Sequence, residues 1–516
     1  MRLAQKGYRV ALLEMGKRFT SADFPRSNWQ VTRYLWIPLL RCFGIQKISV
    51  LKGLLVLHGV GVGGGSLVYA NTMMRPGPAV FKGAGWPPGI DWAQVLAPHY
   101  EMAMRIMGVT PNPHLREADL TLQKLAQRLG AGATFHGTDV AVHFGAPNEV
   151  VADPYFSGAG PGRAGCDLCG GCMIGCHNGS KNTLDKNYLY FAEKWGAHVI
   201  PETRVTRITP EAEGYAIETV RSTQCFMPSK TVFHAHKVIL AAGVLGTVGL
   251  LLKNRDVYKT LPRLSRGVGE HVRTNGESLV GATSLRGDMD LSRGVAIGSA
   301  FLTANGLKVE AVRYPAGSGA MRMLAVPLTG NGTRLTRPFK LLAAILTGLP
   351  DVVRLWSVRD WAKRTLILLI MSADDARIRL RIGRSALTGF RRGLVAAPSA
   401  QPVPSYIPVA QEAAQVASAL IGGTPQNTFS EVLLGAPATA HILGGACMAS
   451  AQDAGVVDTG HEVFGHAGLY VCDGSVVPSN LGVNPSLTII ALAERFAAQF
   501  PSAPGADTSA REVHFS

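Results

Sequence analysis

The residues best suited to chemistry lie near the C-terminus, between His441 and Arg495. His441 opens the turn His441-Ile442-Leu443-Gly444-Gly445, and an imidazole can accept and hold a proton near neutral pH. Asn484 opens Asn484-Pro485-Ser486-Leu487-Thr488, and its amide can both donate and accept. Between them, Leu469 to Cys472 reads as a short buried strand that ends in Asp473-Gly474, a pair that tolerates positive φ. Beyond Pro485 the residues Leu487, Ile489, Ile490, Leu492 and Ala493 have helical spacing, with Ser486 the expected N-cap. Such a helix aims its first amides and partial positive charge at whatever sits beside Asp473 and Asn484, a setting that favours a developing anion.

A second constellation is Cys166, Cys169, Cys172 and Cys176, spaced C-x2-C-x2-C-x3-C as in bacterial iron–sulfur ferredoxins. In a reducing compartment clustered cysteines ligate a metal or cluster more often than they form disulfides. Here, however, His177 and not proline follows the fourth cysteine, and no second run offers the second cluster that the ferredoxin pattern serves. A structural thiol loop is therefore the expected reading, with an iron–sulfur cluster as the alternative.

These groups must be positioned by a large fold. The chain has 516 residues, 47% hydrophobic and 17% charged, with 59 glycines and 30 prolines, which suits an α/β protein with many tight turns. The formal charge of +16 accompanies no helix-turn-helix, zinc-finger or RNA-binding signature, so nucleic acid is not an expected partner. A solvated basic surface accounts for it, and an anionic membrane surface is the next candidate. No apolar run reaches the roughly 18 residues of a transmembrane helix, and no signal peptide follows Met1. A cytoplasmic protein with peripheral membrane contact is expected.

In chain order, Leu3 and Ala4 read as the end of a helix, Gly7 as a break, and Tyr8 to Leu13 as a buried strand closed by Glu14. An acid there is the residue that takes the adenosine ribose hydroxyls in a dinucleotide-binding βαβ unit. The first strand and G-x-G-x-x-G of that unit do not precede it, which is expected to reflect a late start or a truncation. Asn28 to Leu51 reads as core, with a lid or membrane-contacting segment as the alternative. Gly59 to Asn71 is a glycine-rich loop carrying Gly64-Gly65-Ser66, and Asp91 caps a helix with a core face. Val199 to Thr209 and Thr231 to Ala241 read as strands. From 277 to 435, alternating Val309, Ala311, Arg313 and Leu366, Leu368, Ile370 suggest an antiparallel sheet. Leu341 to Trp356, with a Gly-Leu-Pro break, is a candidate amphipathic patch.

Taken together, the His441, Asp473 and Asn484 motifs resemble the C-terminal signature of the glucose–methanol–choline family of flavoenzymes, in its sterol-oxidising branch. Gly179-Ser180-Lys181-Asn182-Thr183-Leu184 after the cysteine loop matches that branch too. The resemblance implies a two-domain FAD-binding (Rossmann-like) α/β fold with an antiparallel-sheet substrate domain. The FAD domain would comprise 1–75, 198–276 and 436–516, and the substrate domain 76–197, with the cysteine loop, and 277–435. It makes His441 and Asn484 the catalytic pair. FAD would be held by Glu14, Gly64, Gly65, Ser66, Asn71, Val205, Ala242, Gly243, Asp473, Gly474, Asn484 and Pro485. The implied reaction is oxidation of a sterol or other bulky apolar alcohol, with hydride passing to flavin N5, His441 as base and O2 or another carrier as electron acceptor. A dehydrogenase discharging through an iron–sulfur cluster, or a truncated non-catalytic remnant, are the alternatives. Isomerising relatives carry a glutamate just after a Pro-Ala-Gly turn; Pro315-Ala316-Gly317-Ser318-Gly319 has glycine there.

Overall fold

Two short parallel strand pairs belong to the part of the fold expected to bind a dinucleotide, and one of them carries the Asp473 turn. Val238–Leu240 runs in register with Leu469–Val471, both set in the main core, and the second strand delivers Asp473 at its end. Ala11–Leu13 pairs with His198–Ile200. The doubly wound order 3-2-1-4 sets a strand between the second and fourth positions. Among the described residues the two pairs remain separate sheets. Ala11–Leu13 is accordingly shorter and more exposed than the buried strand expected from Tyr8, because only one of its edges is paired. The computed structural model describes residues 1–516 except Ala84, Arg334, Leu387, Thr388, Ser405, Leu434, Ala436 and Ala510, so the division drawn at 436 lies outside the described residues.

Each of the two longer expected strands divides. His198–Ile200 is followed by Thr203–Glu211 after a turn in which Glu202 takes φ 55°, and Lys230–Ala235 is separated from Val238–Leu240. Thr203–Glu211, Gly214–Arg221 and Lys230–Ala235 form a three-stranded antiparallel sheet, with Val205 beside a bulge in the first.

The expected antiparallel sheet is present, with seven strands in the order Ala325–Pro327, Gly423–Thr428, Ser278–Ser284, Thr365–Met371, Lys308–Val312, Ile297–Leu302 and His136–Gly137. The two runs read from the sequence are neighbours in it, Val309 opposite Ile370 and Ala311 opposite Leu368. One face packs its alternate apolar residues beneath helices Glu117–Arg128 and Pro408–Ile421. Successive side chains of a strand point to opposite faces, so Glu310 leaves this apolar layer and turns toward the C-terminal turns. Arg313 is buried as well, its guanidinium 2.5 Å from Asp119.

Helix Trp92–Ile106 packs against helix Ser486–Ala498, where the Tyr100 hydroxyl and Thr488 Oγ1 lie 2.8 Å apart. Asp91 caps the former as expected, its carboxylate accepting from Gln94 N at 3.1 Å.

Candidate active site

His441 follows the strand Ala438–Thr439, which runs parallel to Leu54–Gly59. The His441 amide donates to Thr439 Oγ1 at 2.9 Å, and that hydroxyl donates to the Thr274 carbonyl at 3.2 Å. Leu443 then pairs with Arg273 through hydrogen bonds of 2.8 and 3.0 Å. Gly444 has φ 77°, and a Cβ there would collide with the His271 carbonyl oxygen, so the turn requires glycine. Gly444 and Ala446 donate to the carbonyls of Gly474 and Ser475 at 3.0 and 2.9 Å. The His441 and Asp473 turns are thus laced together by backbone.

Asn484 is buried just ahead of helix Ser486–Ala498. Pro485, and not Ser486, is the cap residue, and no side chain caps the first turn. Asn484 thus immediately precedes a helix start that carries partial positive charge and no side-chain cap. Asn484 Nδ2 lies 3.5 Å from His441 Nε2 and 3.3 Å from Glu310 Oε2, while Asn484 Oδ1 is buried without a hydrogen-bond partner.

Two carboxylates complete the cluster, and neither was singled out from the sequence. Glu277 Oε1 stands 2.5 Å from His441 Nδ1, and its Oε2 accepts from Ala440 N at 3.0 Å. The first contact has the direction of an ion pair more than of an aligned hydrogen bond, since neither atom has a well-directed partner. Burial alone would lower the His441 pKa; the charge and contact of Glu277, with the charge of Glu310, outweigh it and raise the pKa above its ordinary value. Glu310 is fully buried, and desolvation pushes its carboxyl up to about 7 against the pull of Lys308, His441 and Asn484. The available signal for Glu310 was a carboxylate in the middle of an apolar strand, Val309-Glu310-Ala311. Glu277, in the turn Asn275-Gly276-Glu277, offered none.

The residues expected to hold a cofactor fall into two groups. Glu14 ends its strand with Oε1 accepting from Gly16 N at 2.6 Å and Gly61 N at 3.0 Å, which ties the acid to the glycine loop. Burial raises its pKa against these two amides. A Cβ at Gly64, Gly65 or Gly243 would meet no atom within 4 Å, so backbone there is open to close approach. Asn71 is buried at φ 61°, its amide near the Cys172 thiol but without a directed hydrogen bond at either end. The unpaired buried amide of Asn71 and the unpaired Oδ1 of Asn484, with open backbone at the glycines, fit a large planar polar group such as a flavin. Ser66 and Asp473 are already engaged. Ser66 Oγ donates to the Gly63 carbonyl and accepts from Leu184 N, while Asp473 takes Thr247 Oγ1 on one oxygen and Ser475 on the other. Ala242 is exposed, with its amide donating to Thr247 Oγ1 at 3.2 Å, Gly474 is packed between Leu443 and Ile489, and Val205 is half-buried.

The cysteine loop is pinned to the glycine loop by Lys181, which the sequence reading noted only as part of a motif. Its buried ammonium donates to the carbonyls of Leu67, Tyr69 and Cys172 at 2.9, 3.3 and 2.7 Å, and desolvation lowers its pKa to about 8. Leu168, Ala296 and Lys181 amides donate to the sulfurs of Cys166, Cys172 and Cys176 at 3.3 to 3.4 Å. All four thiols are free, and burial pushes those of Cys166, Cys169 and Cys172 up. Clefts beside Trp29 to Arg33 and beside Phe24 and His177 are not lined by His441, Asn484 or Glu310.

Two models of the family described as GMC oxidoreductase match the chain, over residues 46–255 and 359–493. A cholesterol oxidase of Mycobacterium tuberculosis (strain ATCC 25618 / H37Rv) is 41% identical over 514 residues, covering 97% of this chain and 88% of its own. A cholesterol oxidase of Acinetobacter baumannii is 39% identical over 511 residues, covering 97% and 91%. Pyridoxine 4-oxidase from Mesorbium loti superposes with a TM-score of 0.60 over 97% of this chain and 96% of its own, at 15% identity, a likeness of fold alone. None of these comparisons points to an iron–sulfur cluster.

Proposed function

Because this chain belongs to the GMC oxidoreductase family, and so is an FAD-dependent oxidoreductase acting on CH–OH donors, we propose that it oxidises the hydroxyl of a sterol or other bulky apolar alcohol, with His441 as the base. The observation that carries the reading is the cluster His441, Asn484, Glu277 and Glu310 at the start of helix Ser486–Ala498.

His441 Nδ1 is taken up by Glu277, which fixes the ring and leaves Nε2, on the Asn484 side, to accept the hydroxyl proton. Asn484 Nδ2, on the Nε2 side of the ring, donates to the same hydroxyl oxygen and so orients the carbinol carbon. Glu310, with a pKa near neutrality, supports the proton on His441 once it has moved. The open first-turn amides of helix Ser486–Ala498 favour negative charge that develops beside them.

FAD would be held by Glu14 at its ribose, by backbone at Gly64, Gly65, Gly243 and Gly474, and by Asn71, Asn484 and Pro485 near its ring, with Val205 and Ala242 on the adenosine side. Ser66 and Asp473 would act by fixing those turns. When bound, FAD supplies the two-electron redox chemistry, its N5 being the acceptor for hydride from the carbinol carbon. O2 is the electron acceptor that the cholesterol oxidase relatives favour. An alcohol of this kind dissolves in bilayers, so contact with a membrane surface belongs to the same reading. The test is turnover of a 3β-hydroxysterol, a long-chain alcohol and a sugar by the FAD-loaded protein. Oxidation of the sugar alone would overturn the substrate class.

A further inference from the structure

Helices Thr336–Thr347 and Leu349–Ser357 follow each other with only Gly348 between them, and they are apolar on two opposite sides. The inward side buries Arg337, Leu341 and Leu355. The outward side presents Phe339, Leu342, Leu346, Leu349, Val353 and Trp356, each between 48% and 75% exposed. Their spacing of three and four residues keeps Phe339, Leu342 and Leu346 on one face of the first helix, and Leu349, Val353 and Trp356 on one face of the second, each set within an arc of roughly 60°. Six large apolar side chains in one exposed stripe need a partner.

The spacing alone would also suit a second copy packed as a coiled coil. The positions flanking the stripe argue against this: Ala343, Ile345, Pro350 and Val352 carry none of the charges that pair such seams. Gly348 and Pro350 also break the straight run that a seam requires. A bilayer needs neither feature. It takes an apolar face edged by aromatics, and Phe339 and Trp356 stand at the two ends of the stripe. Charge fits as well: leaving out the buried Arg337, residues 334 to 364 contain six Lys or Arg against two Asp, a surplus of four.

We propose that the outward face of helices Thr336–Thr347 and Leu349–Ser357 docks this protein onto an anionic lipid bilayer. The face is braced to the active site. Arg337 Nη1 donates to the Glu431 carbonyl at 3.0 Å, and the Glu431 carboxylate accepts from Ser278 Oγ at 3.2 Å and Leu279 N at 3.1 Å. The residue before Ser278 is Glu277, which holds His441. The role of this face in substrate supply rests on the apolar-alcohol reading above; lipid binding itself does not.

The experiment is sedimentation of the FAD-loaded protein with phosphatidylcholine vesicles and with vesicles also containing phosphatidylglycerol. The wild type sediments with the anionic vesicles, less so at high salt, and with a blue shift of Trp emission. The variant Phe339→Glu/Leu346→Glu alters two exposed positions, keeps the wild-type circular dichroism and turnover of a short water-soluble alcohol, and binds these vesicles at least about tenfold more weakly. Wild-type protein left in the supernatant would overturn the proposal, as would a variant that binds like the wild type. So would a wild-type dimer, without vesicle binding, that the variant dissolves. Vesicle binding without sterol turnover would leave this surface standing and remove the substrate reading. Sterol turnover in detergent without vesicle binding would do the reverse.

Discussion

His441 and Glu277 stand with Nδ1 and Oε1 2.5 Å apart, and this contact occupies one of the two ring nitrogens. Nε2 faces Asn484, so one residue holds the imidazole at Nδ1 while the other stands beside the nitrogen proposed as the base.

Replacing His441 by Ala lowers turnover of the best alcohol by about a hundredfold or more, the range for a positioned acid–base group. FAD content stays at the wild-type level, because of the residues proposed to hold FAD only Asn484 touches His441, and it keeps its contact with Glu310. Steady-state kinetics and the flavin absorbance of the same preparation check both, and near-normal turnover would remove His441 from the mechanism.

The proton-accepting form of His441 is neutral, and its pKa lies above the ordinary histidine value. kcat/KM therefore rises with pH through that raised pKa and is low below it. Glu277→Gln removes the charge that chiefly opposes the effect of burial, so the acidic limb moves to lower pH. A limb that stays in place in the Gln variant would assign it to another group, Glu310 being the candidate at about 7.

A carboxylate that isomerises a new 5-en-3-one must stand over the steroid ring, and the turn expected to bear it has Gly319, beside the Trp29 and Trp361 side chains. The unconjugated ketone is the expected product of a 3β-hydroxy-5-ene steroid, followed by the ultraviolet absorbance of the conjugated enone. A rise in step with substrate use that disappears in Glu310→Gln would transfer the isomerising role to Glu310.

Lys181 is the only donor among the described residues to bond the Leu67, Tyr69 and Cys172 carbonyls together. Lys181→Met leaves those buried acceptors without it, at about 1–3 kcal/mol for each one unsatisfied. Urea unfolding should show the loss, with earlier release of FAD as the glycine loop loosens. Unchanged stability and FAD retention would mean that the loop is held by other contacts.

The legible parts of the site were those whose local backbone demands particular residues. His441-x-Leu443-Gly444-Gly445 needs glycine to clear His271, and the Asp473-Gly474 turn ends a buried strand, so both announce themselves in order and spacing. The antiparallel sheet was readable from alternation at Val309 and Leu366. Glu277 and Glu310 were not, because one reaches His441 from the turn before Ser278–Ser284 and the other reaches Asn484 from Lys308–Val312, and only tertiary pairing brings these sequence-distant positions together. Ser66 and Asp473 show the converse: motif positions whose side chains serve the turn itself. The exposed stripe from Phe339 to Trp356 could be read as apolar, yet which of its sides faces outward depends on Arg337 and Leu355 being buried.

The most direct measurement is anaerobic single turnover of the FAD-loaded protein with a 3β-hydroxysterol, following loss of the oxidised flavin band. The wild type bleaches fully with one equivalent of sterol, at a rate that rises with pH, and His441→Ala bleaches about a hundredfold more slowly or not at all. A wild-type flavin that stays oxidised with sterol but bleaches with a small polar alcohol would contradict the sterol assignment, and equal rates in wild type and variant would contradict the role of His441.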